Sequence, residues 1–296
     1  MASPSSPLRR WALRAVAAVL AATLGLPAAA GANLAAASRA LSGCRSAMRS
    51  LERVAGRLTV ATERPTNWPW FLNNQPRSGQ GYESALVYAL ASTLGVARRD
   101  VHWIQQPYAT ATAPGAKTFD FDVDEIAAPA VASSAVTYSA PYYDLRTALV
   151  ALTSDAIATD HGAAALRGYR YGALAGSPEL ATLASTLHPA QAPRSYRSMS
   201  SLLAALHAGA VDAIALDTAA ALALVRTQPQ VRNQAPARVV GQLPGASGHY
   251  ALVFQHGNPL AGCVDQALAQ LRRSGVLAQL AHRWLSSFAD VPVLRP

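Results

Sequence analysis

Acidic side chains are concentrated in one short strand-like segment of this chain. Asp120, Asp122 and Asp124 alternate with apolar residues, and Glu125 follows with the opposite parity. Because successive side chains of a strand point to opposite faces, the aspartates could form only a solvated face, whereas Glu125 could point toward a cleft. A carboxylate in a cleft can bind a cation or serve as a general acid. The segment is therefore a candidate for ligand binding, and less strongly for catalysis.

Motifs of common enzymes and metal sites are absent from the sequence. The seven histidines are isolated and form no His-x-His, His-Glu-x-x-His or Cys/His cluster. No Gly-x-Ser-x-Gly elbow, P-loop or Gly-x-Gly-x-x-Gly occurs, and the nearest string, at 245–249, is predicted to be a turn. We therefore predict no catalytic residue, no metal and no cofactor.

The charge distribution bears on the class of partner. The 296 residues include 25 Lys and Arg against 16 Asp and Glu, for a formal charge of +9. Nearly all the basic residues are arginines, scattered without a block of five or more. Nucleic-acid binding requires a clustered basic face or an aromatic-interleaved motif. We therefore expect no nucleic-acid partner.

Residues 1–30 have the pattern of a secretory signal. Three arginines precede the apolar run Ala15–Leu26, which is too short to span a bilayer, and small residues follow at 28–30. An uncleaved N-terminal anchor is the alternative. We expect an exported protein, periplasmic or held at the cell envelope, with residues 31–56 as an N-terminal extension.

The chain has two cysteines, Cys44 and Cys263. In an exported protein, an even pair is most simply a disulfide. However, Leu41-Ser42-Gly43-Cys44 also has the form of a lipoprotein cleavage box, in which Cys44 would carry a lipid anchor. The two interpretations remain open at the level of sequence.

Alternating strand and helix patterns predict an α/β protein with parallel or mixed sheets. Strands are predicted at 57–62, 101–104, 147–152, 169–174, 194–196, 211–216 and 249–254, and helices at 82–94, 200–208, 259–273 and 276–286. The arrangement suggests one lobe from 57–146 and 249–290 and a second from 147–248, joined by a hinge of two crossing strands. Ligands of such sheets bind at the carboxyl ends of strands.

The central segment resembles extracellular solute-binding protein family 3, the periplasmic substrate-binding proteins of amino-acid ABC transporters. The resemblance is carried by the aspartate strand that begins at Phe119, the block Tyr138–Tyr143 and the strand Thr147–Leu152. Gly79–Glu83 and Leu203–Asp217 match further family segments in the same order, so that the resemblance covers about residues 57–290. It implies a type II two-lobed periplasmic-binding-protein fold, a monomer, a small-molecule solute and an ABC transporter permease as partners.

The resemblance also implies roles for individual residues. In the family, an aromatic after the first strand stacks on the ligand, which corresponds to Trp70 or Phe71. An acid at the position of Asp217 holds the ligand's ammonium group. A turn at a helix N-terminus, here Gly176-Ser177, helps to hold its carboxylate.

Simpler structural roles exist for the same residues. Trp70 and Phe71 could close the edge of a core, and Asp217 could cap a helix at Thr218–Val225. Tyr143 could pack at the hinge instead of contacting ligand. Each is therefore a candidate with a structural alternative.

The family's carboxylate-binding groups are missing from the expected positions. Ala127 and Pro129 replace hydroxyl residues, Ala132 replaces the arginine, and Pro178 has no N–H to donate. Arg146, near the hinge, could replace the arginine from another direction. An ordinary α-amino acid should therefore bind weakly, because a desolvated carboxylate needs charge-assisted partners.

The groups that remain are aromatic and acidic: Glu63, Trp70, Phe71, Glu125 and Asp217. Such a set suits a cationic or amine-bearing solute through cation–π and carboxylate contacts. We therefore predict an exported solute-binding protein of an ABC transporter whose ligand is not an ordinary α-amino acid. A sensor or interaction module on a degenerate solute-binding fold is the alternative, and a cleft dehydratase is a weaker one.

Overall fold

The computed structural model of the protein describes residues 28–129, 133–160, 162–227 and 236–296. Most of the predicted signal segment and Ala132 lie outside these ranges. Within them, no helix combines the length and apolar character needed to cross a bilayer.

Twelve strands form three sheets in the described residues. They are β1 (Leu58–Thr62), β2 (Val101–Gln105), β3 (Phe121–Asp122), β4 (Val136–Tyr138), β5 (Tyr143–Leu145), β6 (Thr147–Leu152), β7 (Tyr171–Leu174), β8 (Arg194–Tyr196), β9 (Ala213–Asp217), β10 (Ala237–Gln242), β11 (Gly248–Tyr250) and β12 (Val253–Gln255). One sheet has the order β2-β1-β3-β12-β4, the second has the order β10-β6-β9-β7-β8, and β5 pairs with β11 between them. Both large sheets mix parallel and antiparallel pairs.

Helices cover the sheets. They are α1 (Ala28–Leu51), α2 (Tyr82–Thr93), α3 (Tyr108–Thr112), α4 (Ala163–Gly168), α5 (Pro178–Leu187), α6 (Met199–His207), α7 (Thr218–Thr227), α8 (Leu260–Arg273), α9 (Val276–Trp284) and α10 (Ser286–Ala289). We call the elements around the first sheet lobe 1 and those around the second sheet lobe 2. Apolar cores lie in each lobe: one large and two small clusters pack against the first sheet, and two clusters pack against the second.

The predicted strand at 249–254 is interrupted in the structure. Tyr250 pairs with Tyr143 in the small sheet, whereas Val253 pairs with lobe 1 strands. Between them, the Ala251 N–H donates to the Ile126 carbonyl. Because of this break, the first part of the segment pairs in the small sheet that connects the lobes and the second part pairs in the lobe 1 sheet.

The interpretation of the aspartates as a solvated strand face is wrong for two of them. Asp120 and Asp122 are 1% and 0% exposed. Asp120 accepts hydrogen bonds from the backbone N–H groups of Arg53 and Thr59, at 2.6 Å each. It thereby joins the segment after α1 to β1, because a buried carboxylate needs such partners.

Lobe 1 is also fastened to α1 by a disulfide. Cys44 on α1 and Cys263 on α8 are bonded, as one of the two sequence interpretations predicted. A sulfur in a disulfide cannot also carry a lipid. The bond closes a loop with a sequence separation of 219 residues.

The C-terminal segment makes a contact that the sequence did not predict. Gln242 at the end of β10 donates its N–H to Pro292 O and accepts from Leu294 N–H, both at 2.8 Å. The Leu294 side chain is buried in the lobe 2 core. The chain therefore passes from lobe 1 to lobe 2 at its end, in addition to the connections beside β5 and β11.

Candidate ligand-binding site

Glu125 lies three residues beyond the end of β3, where the backbone turns sharply. Its φ of 52° is in the left-handed region, which is uncommon for a residue with a side chain. The turn is held by the Glu125 N–H, which donates to Glu83 Oε1 at 2.9 Å, and by Asn67 Nδ2, which donates to Glu125 Oε1 at 2.8 Å. The predicted orientation of Glu125 toward the cleft is realised, because its side chain lines the cavity described below.

Glu83 supports this turn from inside the core of lobe 1. Its side chain is fully buried, and its Oε1 accepts from both the Glu125 N–H and the Tyr142 hydroxyl. Glu83 Oε2 is buried with no partner among the described residues. Burial, aided by the nearby Glu125 charge, raises the pKa of Glu83 well above its usual value. Glu83 is therefore a buried positioning group for the turn that carries Glu125.

Asp217 ends β9 and begins the next helix. Its Oδ1 accepts from the Ala220 N–H at 2.9 Å, which is the N-cap contact of α7. Burial raises the pKa of Asp217, and the backbone hydrogen bonds lower it. The predicted cap is confirmed, and the same side chain lines the cavity described below.

Both carboxylates line one cavity of about 420 Å³ between the lobes. Lobe 1 contributes the loop after β1 and the turn after β3, and lobe 2 contributes α7 with its cap. The lining residues are Asn67, Trp68, Glu125, Asp217, Ala219, Ala220, Ala223, Arg226 and Thr227. The cavity lies at the carboxyl ends of β1, β3 and β9, where ligands of α/β sheets bind. We identify this cavity as the candidate site because it contains the acid pair and not because of its size, since a depression of about 620 Å³ on the flank of lobe 1 is larger.

The electrostatics of the cavity favour a cation. Burial raises the pKa of Glu125 to about 8, and the neighbouring Asp217 and Asp124 carboxylates raise it as well, while the Asn67 amide lowers it. Burial also raises the pKa of Asp124, to about 6. Two carboxylates that repel each other are both stabilised in the charged form by a cation placed between them.

A cation–π contact crosses this cavity. The Arg226 guanidinium carbon, from α7 in lobe 2, lies 3.8 Å from the centroid of the Trp68 ring in lobe 1. Trp68 is 37% exposed. Trp68 and Arg226 were not predicted as site residues, although Trp68 shares the aromatic loop that was singled out.

The predicted stacking role of Trp70 and Phe71 is not supported by their positions. They are 0% and 2% exposed and belong to the lobe 1 core. The Trp70 ring makes edge contacts with Tyr82 and Tyr143 at centroid distances of 5.7 and 5.0 Å. Gly81 permits this packing, since a Cβ there would lie 2.3 Å from Trp70 O. The Trp70 N–H lowers the pKa of Glu125 yet makes no hydrogen bond of standard geometry within the described residues.

The other predicted residues do not line this cavity. Glu63 accepts weakly from the Tyr108 N–H at 3.4 Å. Gly176 has a φ of 76°, and Ser177 begins α5 without a side-chain cap. Tyr143 and Arg146 line a separate cavity of about 530 Å³ against α9 and α10. Arg146 therefore does not replace the missing arginine in the cavity that holds the acid pair.

Ala127 and Pro129, which stand where the family resemblance would place hydroxyl residues of a polar turn, are exposed. The structure forms no cluster of three or more His, Cys, Asp or Glu suited to a metal ion in residues 28–129, 133–160, 162–227 and 236–296.

The fold and the cavity define a two-lobed solute-binding protein of the periplasmic type. The family model of bacterial extracellular solute-binding proteins, family 3, matches residues 58–287. The chain belongs to this family. No curated protein matches it.

Several solved structures share the fold. An ancestral arginine-binding protein bound to glutamine is 22% identical, with a TM-score of 0.51 over 78% of this chain and 99% of that chain. The second substrate-binding domain of a putative amino acid ABC transporter from Streptococcus pneumoniae is 18% identical, with a TM-score of 0.54 over 77% and 100%. The second substrate-binding domain of Lactococcus lactis GlnP, in an open conformation, is 16% identical, with a TM-score of 0.54 over 77% and 95%.

Proposed function

We propose that this chain captures a small amine-bearing, cationic solute in the cavity between its lobes and delivers it to an ABC transporter permease outside the cytoplasm. The observation that carries the proposal is the placement of Glu125 from lobe 1 and Asp217 from lobe 2 in the wall of one cavity. An ammonium between them pairs with both carboxylates and draws the lobes together. A charge-assisted hydrogen bond contributes about 1.5–3 kcal/mol.

The missing carboxylate partners support the same ligand class. Ala127, Pro129 and Ala132 offer no hydroxyl or guanidinium, and Pro178 offers no N–H at the start of α5. An α-amino acid that places its carboxylate there would lose two or more charge-assisted contacts. Such a loss weakens binding by roughly a hundredfold or more.

The proposed mechanism is hinge closure of two lobes. Residues 57–146 with 249–290 would move as one body and residues 147–248 as the other, with β5 and β11 as the connection. Delivery then requires that the closed form is recognised by the permease. Export to the periplasm or cell envelope belongs to the same proposal and is supported by the family.

Thermal shift and titration calorimetry test the proposal with cadaverine, L-lysine, L-arginine, L-leucine and L-glutamate. A ligand that binds the folded state raises Tm by mass action. We expect the largest shift with cadaverine, smaller shifts with lysine and arginine, whose α-carboxylates lack partners, weak or no shift with leucine and none with glutamate. Asp217→Asn should weaken cadaverine binding at least tenfold, whereas Asp100→Asn, at a partly exposed acid on the flank of lobe 1, should leave it unchanged. Tighter binding of leucine than of cadaverine would refute the proposal.

One observation favours the alternative of a sensor or interaction module. The Trp68–Arg226 contact joins the two lobes through the chain's own residues, so that closure does not require a solute. Solution scattering decides between the two functions. A radius of gyration that falls when cadaverine is added supports capture, and one that no compound of the panel changes supports the alternative.

A further inference from the structure

We infer that Arg226 is the anion-binding residue of the cavity and that the ligand is a linear ω-amino acid. Its ammonium would lie at Glu125 and Asp217, and its carboxylate at the guanidinium. The inference rests on the proposed function, because the ammonium end uses the same acid pair. It adds a second charged group to the ligand and assigns a residue outside the positions expected for the family.

The position of Arg226 follows from α7. The helix begins directly after Asp217, and its residues Ala219, Ala220, Ala223 and Arg226 all line the cavity. Their spacing of three, four and seven places them on one face of the helix. The wall between the two charged residues is therefore made of alanine methyl groups, which suit a chain of methylenes and leave room for it.

The length of this wall suits a ligand whose two charged groups lie apart. Asp217 and Arg226 are separated by about 13 Å along the helix axis at 1.5 Å per residue. Helical side chains lean toward the N-terminus, so the guanidinium extends back over part of this distance. An α-amino acid holds its ammonium nitrogen and carboxyl carbon only about 2.5 Å apart, whereas an extended 5-aminopentanoate separates them by about 6 Å. The longer compound covers more of this wall while its two charged ends face the two ends of the cavity.

Trp68 fixes the guanidinium for this role. Its ring lies 3.8 Å from the guanidinium carbon. Stacking on an aromatic ring uses the face of the guanidinium and leaves its in-plane N–H donors for a carboxylate. If the Trp68–Arg226 contact served only to hold the two lobes together, the affinity for a ligand would not depend on the charge at the far end of that ligand.

The test is titration calorimetry with three compounds of equal length: pentylamine, 5-aminopentanoate and cadaverine. Their far ends are neutral, negative and positive. We expect the wild-type protein to bind 5-aminopentanoate roughly tenfold to a hundredfold more tightly than pentylamine, and cadaverine no more tightly than pentylamine. Arg226→Ala should abolish the preference for 5-aminopentanoate over pentylamine, so that the two compounds bind with similar affinity. Arg226→Glu should reverse the order, with cadaverine bound most tightly.

Arg146→Ala is the matched control, since this exposed arginine lines a different cavity. It should preserve the wild-type order of affinities. Equal wild-type affinity for pentylamine and 5-aminopentanoate would overturn the assignment of Arg226 while leaving amine capture intact. An equal loss of affinity for all three compounds in Arg226→Ala would overturn it in the same way. Failure of the wild-type protein to bind any of the three would overturn the proposed function and this inference together. Thermal unfolding of each variant verifies that it is folded.

Discussion

Binding of cadaverine should release a proton from Glu125 and weaken as the pH falls. The pKa of this side chain, raised to about 8 by burial, means that the empty cavity holds a mostly protonated Glu125 at neutral pH. An ammonium group pairs with the carboxylate and not with the acid. Cadaverine itself stays doubly charged in this range, because alkylamines titrate near the pKa of lysine, about 10.4.

The size of the effect follows from that pKa. About half of Glu125 is ionised at pH 8, about one molecule in eleven at pH 7 and about one in a hundred at pH 6. The affinity should therefore fall about fiftyfold from pH 8 to pH 6, which corresponds to about 2.3 kcal/mol. Asp217, whose pKa burial also raises, acts in the same direction.

Calorimetry at pH 7 in two buffers of different ionisation enthalpy measures the proton release directly. We expect about 0.9 proton released per cadaverine bound. Glu125→Gln should remove most of the pH dependence and weaken binding at pH 8, because the amide carries no charge. Asp100→Asn serves as the control and should keep the wild-type pH profile. Tight cadaverine binding with no proton release and no pH dependence would refute the reasoning.

Three further changes test the structure. Asp122 is fully buried, both of its carboxylate oxygens lack a partner among the described residues, and burial raises its pKa. The wild type should therefore lose up to about 1.4 kcal/mol of unfolding free energy per pH unit as the pH rises from the unfolded pKa of Asp122 toward its folded pKa. Urea unfolding of Asp122→Asn at the same pH values should show a smaller loss of stability with pH. Gly241→Ala should lower Tm by several degrees in a thermal melt, because its Cβ would lie 2.6 Å from the Leu294 side chain and displace the C-terminal segment; an unchanged Tm would contradict this packing. Replacing both Cys44 and Cys263 with serine should cost about 5 kcal/mol in chemical unfolding, from the loss of a cross-link over 219 residues; a loss below about 1 kcal/mol would refute the chain-entropy argument.

The sequence by itself determined many of the elements and their order along the chain. The predicted strand at 57–62 is Leu58–Thr62, and the predicted helix at 82–94 is Tyr82–Thr93. Periodicity and caps are local signals, so they can be recognised without knowledge of the fold. The same local signals placed Asp217 at the start of a helix and Glu125 on the opposite strand face from its aspartate neighbours.

The tertiary structure alone decided which residues form the site. Trp68 and Trp70 belong to one loop, yet Trp70 is enclosed by the lobe 1 core and Trp68 reaches the cavity. Arg226 meets Trp68 only because α7 of lobe 2 faces the loop after β1. Which side of a loop is buried depends on the surfaces that pack against it, and these come from distant parts of the chain. Local sequence patterns do not show which distant surfaces pack together. The acids could therefore be found from the sequence, whereas Trp68 and Arg226 could not be recognised as residues of the same cavity.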